Sequence, residues 1–445
     1  MVVEKIHVKE IIGGRYDNAF VLYHHRTSSF KYATSPLRKF FMEKPQYGSG
    51  EAGIPRENNK SPRYIRITDI DENGSLIGNV GVTANNVEEK YILQNNDILI
   101  ARSGNTVGKS YIHKTESVGD RCFFAGYLIR FKIDSNLILP DYVYIFTKLS
   151  IFCNWVKVTQ RVTGQPNINA EEYSSMPIPV PPIKIQQEIY EIYRKAQSDR
   201  LNKINEANHL TDSIDGYLLD ILQIGKNPSN GGSKQAQKLN ISSLIGGRFD
   251  PQQFHPERME MINRIKQGKW CRLRDVVENV KTITSSISRG DTYIGLENID
   301  GYMGEYIPSK GKESISSAAQ FKEGDILFPK LRPYLNKVHR AQFDGCCSTE
   351  FHVFEAHDID PDFLTIVLRS NMILAQTKHL MTGNTLPRLQ TTDIDNLIIP
   401  CPDMYLQEEI VDSVSNIKDK AKRLKEEGDA LLDEAKQKIE KLILE

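Results

Sequence analysis

The chain has 445 residues, 39% hydrophobic and 26% charged, which is length enough for two or more domains with real cores. Its 57 basic and 57 acidic side chains cancel, which excludes a histone-like polycation. No apolar run approaches the roughly 18 residues of a membrane span, and the start, MVVEKIHVKEII, carries acidic residues where a signal peptide has its apolar core.

In chain order, residues 1–182 read as a first globule. Strands are expected at 64–70, 97–101 and 127–131, where short apolar or alternating runs lie between turn signals. A helix is expected at 140–152, opening on Pro140, a residue suited to the first helical turn. The Pro-rich run MPIPVPP at 176–182 ends the sheet. Residues 183–224 then read as one long helix. Between 185 and 222 there is no Pro, and Ile189, Tyr193, Ala196, Ala207, Leu210, Ile214, Tyr217 and Ile221 recur at steps of four and three. Arg200 and Lys203 are the polar interruptions. A period of 3.5 puts one seam on one side of a helix, as in a coiled coil. Such a helix is roughly 57 Å long at 1.5 Å per residue, beyond the usual domain helix of about 8–20 residues.

Residues 225–240 form a Gly/Ser/Asn-rich linker. A second globule follows at 241–402, with strands expected at 293–296, 325–328 and 351–354 and a helix at 361–376. Residues 403–445 form a second long helix. Its seam is Ile410, Val414, Ile417, Ala421, Leu424, Gly428, Leu431, Ala435 and Leu442.

The two halves repeat one another. IGGRYD at 12–17 returns as IGGRFD at 245–250, SPLRKFF at 35–41 as CRLRDVV at 271–277, and YIRITDID at 64–71 as YIGLENID at 293–300. NNDILIARSGNTVGK at 95–109 answers EGDILFPKLRPYLNK at 323–337, TGQPNIN at 163–169 answers TGNTLPRLQ at 382–390, and IQQEI at 185–189 answers LQEEI at 406–410. Many weak matches in one order indicate a duplication. The expected fold class is α+β: two duplicated mixed α/β globules separated by a long antiparallel two-helix coiled coil, with pseudo-two-fold symmetry. Dimeric DNA readers use such symmetry to place two recognition surfaces on one duplex. One chain with two different surfaces could read a site that is not palindromic.

Catalytic signatures are wanting. GNTVGKS at 104–110 has three residues where a Walker loop has four between Gly and Gly-Lys-Ser, and its counterpart in the second half has no glycine. There is no FxGxG loop for S-adenosylmethionine and no Asn/Asp-Pro-Pro-aromatic tetrad. Glu88-Glu89-Lys90 resembles part of a nuclease motif but is a common triplet at this charge content. The six cysteines, Cys122, Cys153, Cys271, Cys346, Cys347 and Cys401, show no CxxC spacing and read as reduced, mostly buried thiols in a cytoplasmic protein. His352 and His357 beside Cys346 and Cys347 have no metal spacing, so no metal is expected.

The paired DILxxR/K…K segments, the TG followed by Pro and an amide or Arg, the Pro-rich runs and the Gln-x-Glu-Ile opening each long helix resemble the specificity subunits of type I restriction–modification systems. The resemblance covers nearly the whole chain. It implies that each globule is a target recognition domain reading one half of a bipartite, asymmetric DNA site. It also implies that the helices dock two methyltransferase subunits, which hold S-adenosylmethionine and methylate adenine, and that restriction/translocase subunits can join. The chain itself would be non-catalytic and without cofactor. A non-catalytic protein-binding scaffold with duplicated binding domains is the alternative.

Net charge permits the DNA reading. Residues 1–182 carry 22 basic and 18 acidic side chains, whereas residues 403–445 carry 8 and 12. Base edges are read by Arg or Lys on guanine and by Asn or Gln on adenine. The candidates on polar loops of the first half are Lys60, Arg63, Arg102, Asn105, Lys109, Gln165 and Asn167. Those of the second half are Arg289, Lys330, Arg332, Asn336, Lys337, Asn384 and Arg388. The recurring Arg15-Tyr16-Asp17 and Arg248-Phe249-Asp250 do not vary with the half, so they are assigned to structure or partner docking.

Overall fold

The computed structural model describes residues 30–57, 60–78, 80–119, 121–160, 165–225, 251–285, 292–308, 317–383 and 386–445. The two Ile-Gly-Gly-Arg motifs, Arg289, Asn384 and most of the linker lie outside the described residues. The chain divides into two compact units, Met1–Lys203 with Glu426–Glu445, and Ile204–Lys425. Each unit takes one globule, the near half of one long helix and the far half of the other.

In the first unit the strands are β1 (Thr34–Pro36), β2 (Gln46–Tyr47), β3 (Ile54–Pro55), β4 (Arg63–Ile65), β5 (Val82–Thr83), β6 (Ile98–Ala101), β7 (Ser110–Ile112), β8 (Cys122–Phe124), β9 (Leu128–Phe131) and β10 (Pro177–Pro179). An antiparallel sheet in the order β2-β9-β6-β7 faces a second sheet, β3-β5-β4-β8, whose β4–β8 pair is parallel. Strand β6 is an unbroken apolar run because both its faces are covered. Ile98 and Ile100 enter a core with helices Pro140–Phe146 and Ser150–Thr159, while Leu99 and Ala101 meet the second sheet. β1 pairs with β10, closing the globule start to end.

The second unit contains β11 (Trp270–Arg272), β12 (Val277–Val280), β13 (Ile283–Thr284), β14 (Tyr293–Ile294), β15 (Ala318–Phe321), β16 (Ile326–Pro329), β17 (His339–Arg340), β18 (Gly345–Cys347), β19 (Phe351–Ala356) and β20 (Ile398–Pro400). Its first sheet, β12-β19-β16-β17, has the topology of the first unit's, and β11 pairs with β20 as β1 does with β10. The second sheets differ: β13-β15-β18-β14 here against β3-β5-β4-β8 there. The duplicated frame is the first sheet with its helices and the parallel pair β4–β8, matched by β14–β18; the second sheets differ in their remaining strands.

Three expectations are corrected. The strand expected at 64–70 ends at Ile65, because the Asp69 carboxylate accepts the Arg66 amide at 2.9 Å and its guanidinium at 2.8 Å, folding residues 67–69 into a 3-10 turn. The helices expected at 140–152 and 361–376 are each two pieces, Pro140–Phe146 with Ser150–Thr159 and Pro361–Arg369 with Asn371–Thr377. Extended backbone at Leu149 and Ser370 breaks them at matching positions, a change of direction that apolar periodicity does not register. Of the six cysteines, Cys122, Cys346 and Cys347 are buried, Cys271 and Cys401 are half-buried, and Cys153 is exposed.

The long helices are Ile183–Ile221 and Met404–Leu444. Their pairing is antiparallel within each unit. In the first, Arg200 meets Asp429 at 2.6 Å and Lys203 meets Glu427 at 2.6 Å. In the second, Ala207 packs with Ala421 and Leu424, while Leu218 shares a core with Ile410 and Val414. Gly428 marks a close approach here: a Cβ on it would come 3.3 Å from the Arg200 carbonyl oxygen.

Ile189, Tyr193, Ala196, Ile410, Val414, Ala421, Leu424 and Ala435 of the expected seam are buried. Leu218, Leu432, Ile439 and Ile443 are buried in place of Tyr217, Leu431 and Leu442, and Leu210, Ile214, Ile417 and Ile221 are half-buried. After Ala421 the buried positions are Leu424, Gly428, Leu432, Ala435, Ile439 and Ile443, steps of four and three nearer an 11-residue pattern than a heptad. Here the helix end packs into the first globule's core, so it no longer keeps the phase of a two-helix seam.

Candidate nucleic-acid interface

The Asp-Ile-Leu motif positions one hairpin in each unit. Asp97 accepts the Gln94 amide at 2.8 Å and Asp325 accepts the Lys322 amide at 2.8 Å, capping the turn into β6 and into β16. Both carboxyls are buried, which raises their pKa. β6 then pairs antiparallel with β7, and β16 with β17. Hence GNTVGKS is a hairpin loop followed by a strand, and no helix N-terminus is present to hold a nucleotide phosphate. Gly108 has φ 88°, and a Cβ there would lie 2.9 Å from the Val156 side chain, so backbone and packing explain the glycine.

A second segment clasps each hairpin. In the first unit, Ile168 donates its amide to the Arg102 carbonyl at 2.9 Å, Gly104 donates to the Pro166 carbonyl at 2.9 Å, and Ser103 bridges Asn167. In the second unit, Leu389 donates to the Lys330 carbonyl at 3.0 Å, Arg332 donates to Pro387 at 2.9 Å, and Leu331 bridges Arg388. The two sets superimpose bond for bond. They explain why a DILxx(R/K) segment and a TG…P segment, 60 or so residues apart, repeat together. Each pair of loops forms one continuous polar rim, supported from below by a doubly covered sheet.

In the first unit this rim brings together Arg102, Asn105, Gln165 and Asn167, the last three exposed. The Arg102 guanidinium lies over the Tyr47 ring at 4.9 Å. Lys60 is exposed on the connection into β4, not on this rim. Arg63 is buried, and its guanidinium donates to the Ile77 and Gly78 carbonyls at 2.9 Å each. Lys109 pairs with Glu72 at 2.9 Å. In the second unit the rim contains Lys330, Arg332 and Arg388. Lys330 donates to the Thr349 carbonyl at 2.8 Å, and burial lowers its pKa. Arg388 forms a two-pronged ion pair with Glu350, at 2.7 and 3.0 Å, which holds that carboxyl below its usual range. Asn336 donates to the Arg369 carbonyl at 2.9 Å, and Lys337 to Leu296 at 2.7 Å.

Arg63, Lys109, Lys330, Asn336 and Lys337 thus have structural work as internal donors. For Arg63 burial is decisive, and it is withdrawn as a reader of DNA. Apolar residues at the rims were missed in the sequence. Tyr127 is 62% exposed beside Arg102, whose amide donates to its carbonyl. Tyr334, Leu335 and Leu386 are exposed on the second unit's loops. Their signal was a large apolar residue at a turn apex, where no core position exists.

A duplicated frame carrying two different loop rims defines a protein that presents two distinct recognition surfaces on one scaffold. The family model of the type I restriction modification DNA specificity domain matches residues 51–212 and 265–431, most of the chain, and the chain belongs to that family. It is similar to the type I restriction enzyme MjaVIII specificity subunit of Methanocaldococcus jannaschii, with 21% identity over 364 residues, 80% of each chain. It is also similar to the type I restriction enzyme EcoDI specificity subunit of Escherichia coli, with 24% identity over 190 residues, 41% of each. A solved type I restriction-modification S subunit from M. genitalium aligns over 96% of this chain and 98% of that one, at 12% identity and a TM-score of 0.38. No helix among the described residues is long and apolar enough to cross a membrane.

Proposed function

We propose that each rim reads one half of a bipartite, asymmetric DNA site, with Arg102, Asn105, Gln165 and Asn167 serving the first half-site and Arg332 and Arg388 the second. The observation that carries this reading is the bond-for-bond equivalence of the two clasps combined with different side chains on them. A common frame with divergent loops suits two base sequences better than two copies of one protein ligand. The arginines supply guanine and phosphate contacts, and the amides supply adenine contacts. Tyr127, Tyr334 and Leu386 offer apolar surface for the groove.

The chain is non-catalytic in this reading. Two methyltransferase subunits dock on the long helices and hold the S-adenosylmethionine, and restriction/translocase subunits join that complex. In this reading the protein acts in the cytoplasm. The test is reconstitution with the neighbouring methyltransferase, followed by mapping of methylated adenines. Methylation at one bipartite sequence is expected, and none with the chain omitted. Methyl transfer by the chain alone, or methylation without sequence preference, would overturn the reading.

A further inference from the structure

In the second unit, His255, Glu257 and His379 meet where helix Pro256–Ile265 begins and helix Asn371–Thr377 has just ended. Their donor atoms all lie within 4.8 Å of one another. His379 Nε2 is 3.2 Å from Glu257 Oε2. Two ligands of a tetrahedral ion with bonds of about 2.0–2.1 Å stand about 3.3 Å apart, so this pair already has the spacing of one coordination shell. The other carboxylate oxygen takes Lys378 Nζ at 2.5 Å, which fixes the carboxylate and leaves Oε2 for a further partner.

The imidazoles of His255 and His379 stack with centroids 3.4 Å apart and planes 16° from parallel. His255 Nδ1 is buried with no hydrogen-bond partner in the structure. A buried ring nitrogen left unspent is unusual and calls for a ligand.

We propose that His255, Glu257 and His379 bind a divalent transition-metal ion of the zinc type. Two imidazole nitrogens and one carboxylate oxygen suit zinc better than calcium or magnesium, and the solvent side leaves a fourth position for water. Stacked rings do not both aim at one point, so binding requires rotation of one. The His379 side chain is 19% exposed, so the rotation is assigned to it. The Glu257 carboxylate in the first turn offsets the positive end of its helix. The ion clamps helix Pro256–Ile265 to the helix pair that backs the first sheet. The duplication offset of 221 puts Val158 opposite His379, so this clamp belongs to the second half alone.

The test uses the untagged full chain, stripped of metal with a chelator and titrated with Zn²⁺ and separately with Co²⁺. One ion per chain is expected, with the visible absorption of tetrahedral Co²⁺ and a melting temperature that rises with Zn²⁺ concentration. His379→Asn and His255→Gln should each weaken binding at least about tenfold, while melting in metal-free buffer stays near that of the parent. In the parent chain, the imidazole resonances of His255 and His379 should shift on titration, a readout that does not depend on the variants folding. Unchanged resonances, no saturable binding, or full affinity in both His variants would each overturn the site.

Discussion

Arg332 and Asn336 bracket the second unit's hairpin turn with φ of 49° and 53°, a left-handed conformation that costs an ordinary side chain about 1–2 kcal/mol. Strain of this kind persists where a loop is shaped for contact. Replacing Arg332 with Ala keeps the backbone strain and removes only the side chain, so Arg332→Ala isolates the guanidinium. It should weaken binding of the reconstituted complex by about 1–3 kcal/mol if the guanidinium reads a base, with relaxed preference at one position of the second half-site. Equal loss on all sequences in competition binding would instead mark a phosphate contact. Burial acts on His113 and His352 in the opposite sense from a salt bridge. It pushes His113 down to about 4, and His352 down to about 4 with help from the Lys330 and Lys281 charges. Their folded pKa values lie below the unfolded value of about 6.5, so the unfolded chain binds more protons as pH falls. Stability is therefore full above pH 6.5 and is lost progressively between there and pH 4. Imidazole resonances titrating near 6.5 in the folded chain would contradict this.

At the scale of the element, the repeated Gln of IQQEI and LQEEI has a definite task. Gln186 accepts the Leu139 amide at 2.8 Å and donates to the Pro181 carbonyl at 2.8 Å. Gln407 accepts the Asp360 amide at 2.8 Å and donates to the Pro402 carbonyl at 2.9 Å. Each buried amide fastens the start of a long helix to the residue that precedes a proline-headed helix in its own globule. Gln407→Leu strands the Asp360 amide and the Pro402 carbonyl, so it should destabilise the second unit by about 1–3 kcal/mol, measured by denaturant unfolding. A neutral outcome would mean that water replaces the amide. The match of these pentapeptides was legible in the sequence, but its cause was not, because both partners of each Gln are backbone groups. The broken helices were hidden for a related reason. Both pieces of 140–159 are apolar on the core side, and the extended residue between them carries no Gly or Pro.

At the scale of the molecule, the long helices are continuous while the compact units divide at Lys203 and Lys425. If the helices set the gap between half-sites, seven residues added to both at those joints should lengthen it. The increment is roughly 10 Å, about three base-pair steps at 3.4 Å, less any change from rotation around the duplex. Methylation mapping should then return both half-sequences with a wider gap. An unchanged gap with full activity would show that the helices are not the ruler. The chain by itself determined the duplication, the two long helices, the side of each helix that is buried over most of its length, and the loops that differ between the halves on a common frame. Those follow from periodicity and order, which are local and repeat. Only tertiary structure decided which cations of those loops are held by distant backbone. In sequence Arg63 and Lys337 look like Arg332. In the fold, Arg63 spends its guanidinium on carbonyls 14 and 15 residues away and Lys337 its amine on one 41 residues away. A buried cation must be satisfied by whatever backbone the fold brings to it, and that choice is made by contacts distant along the chain.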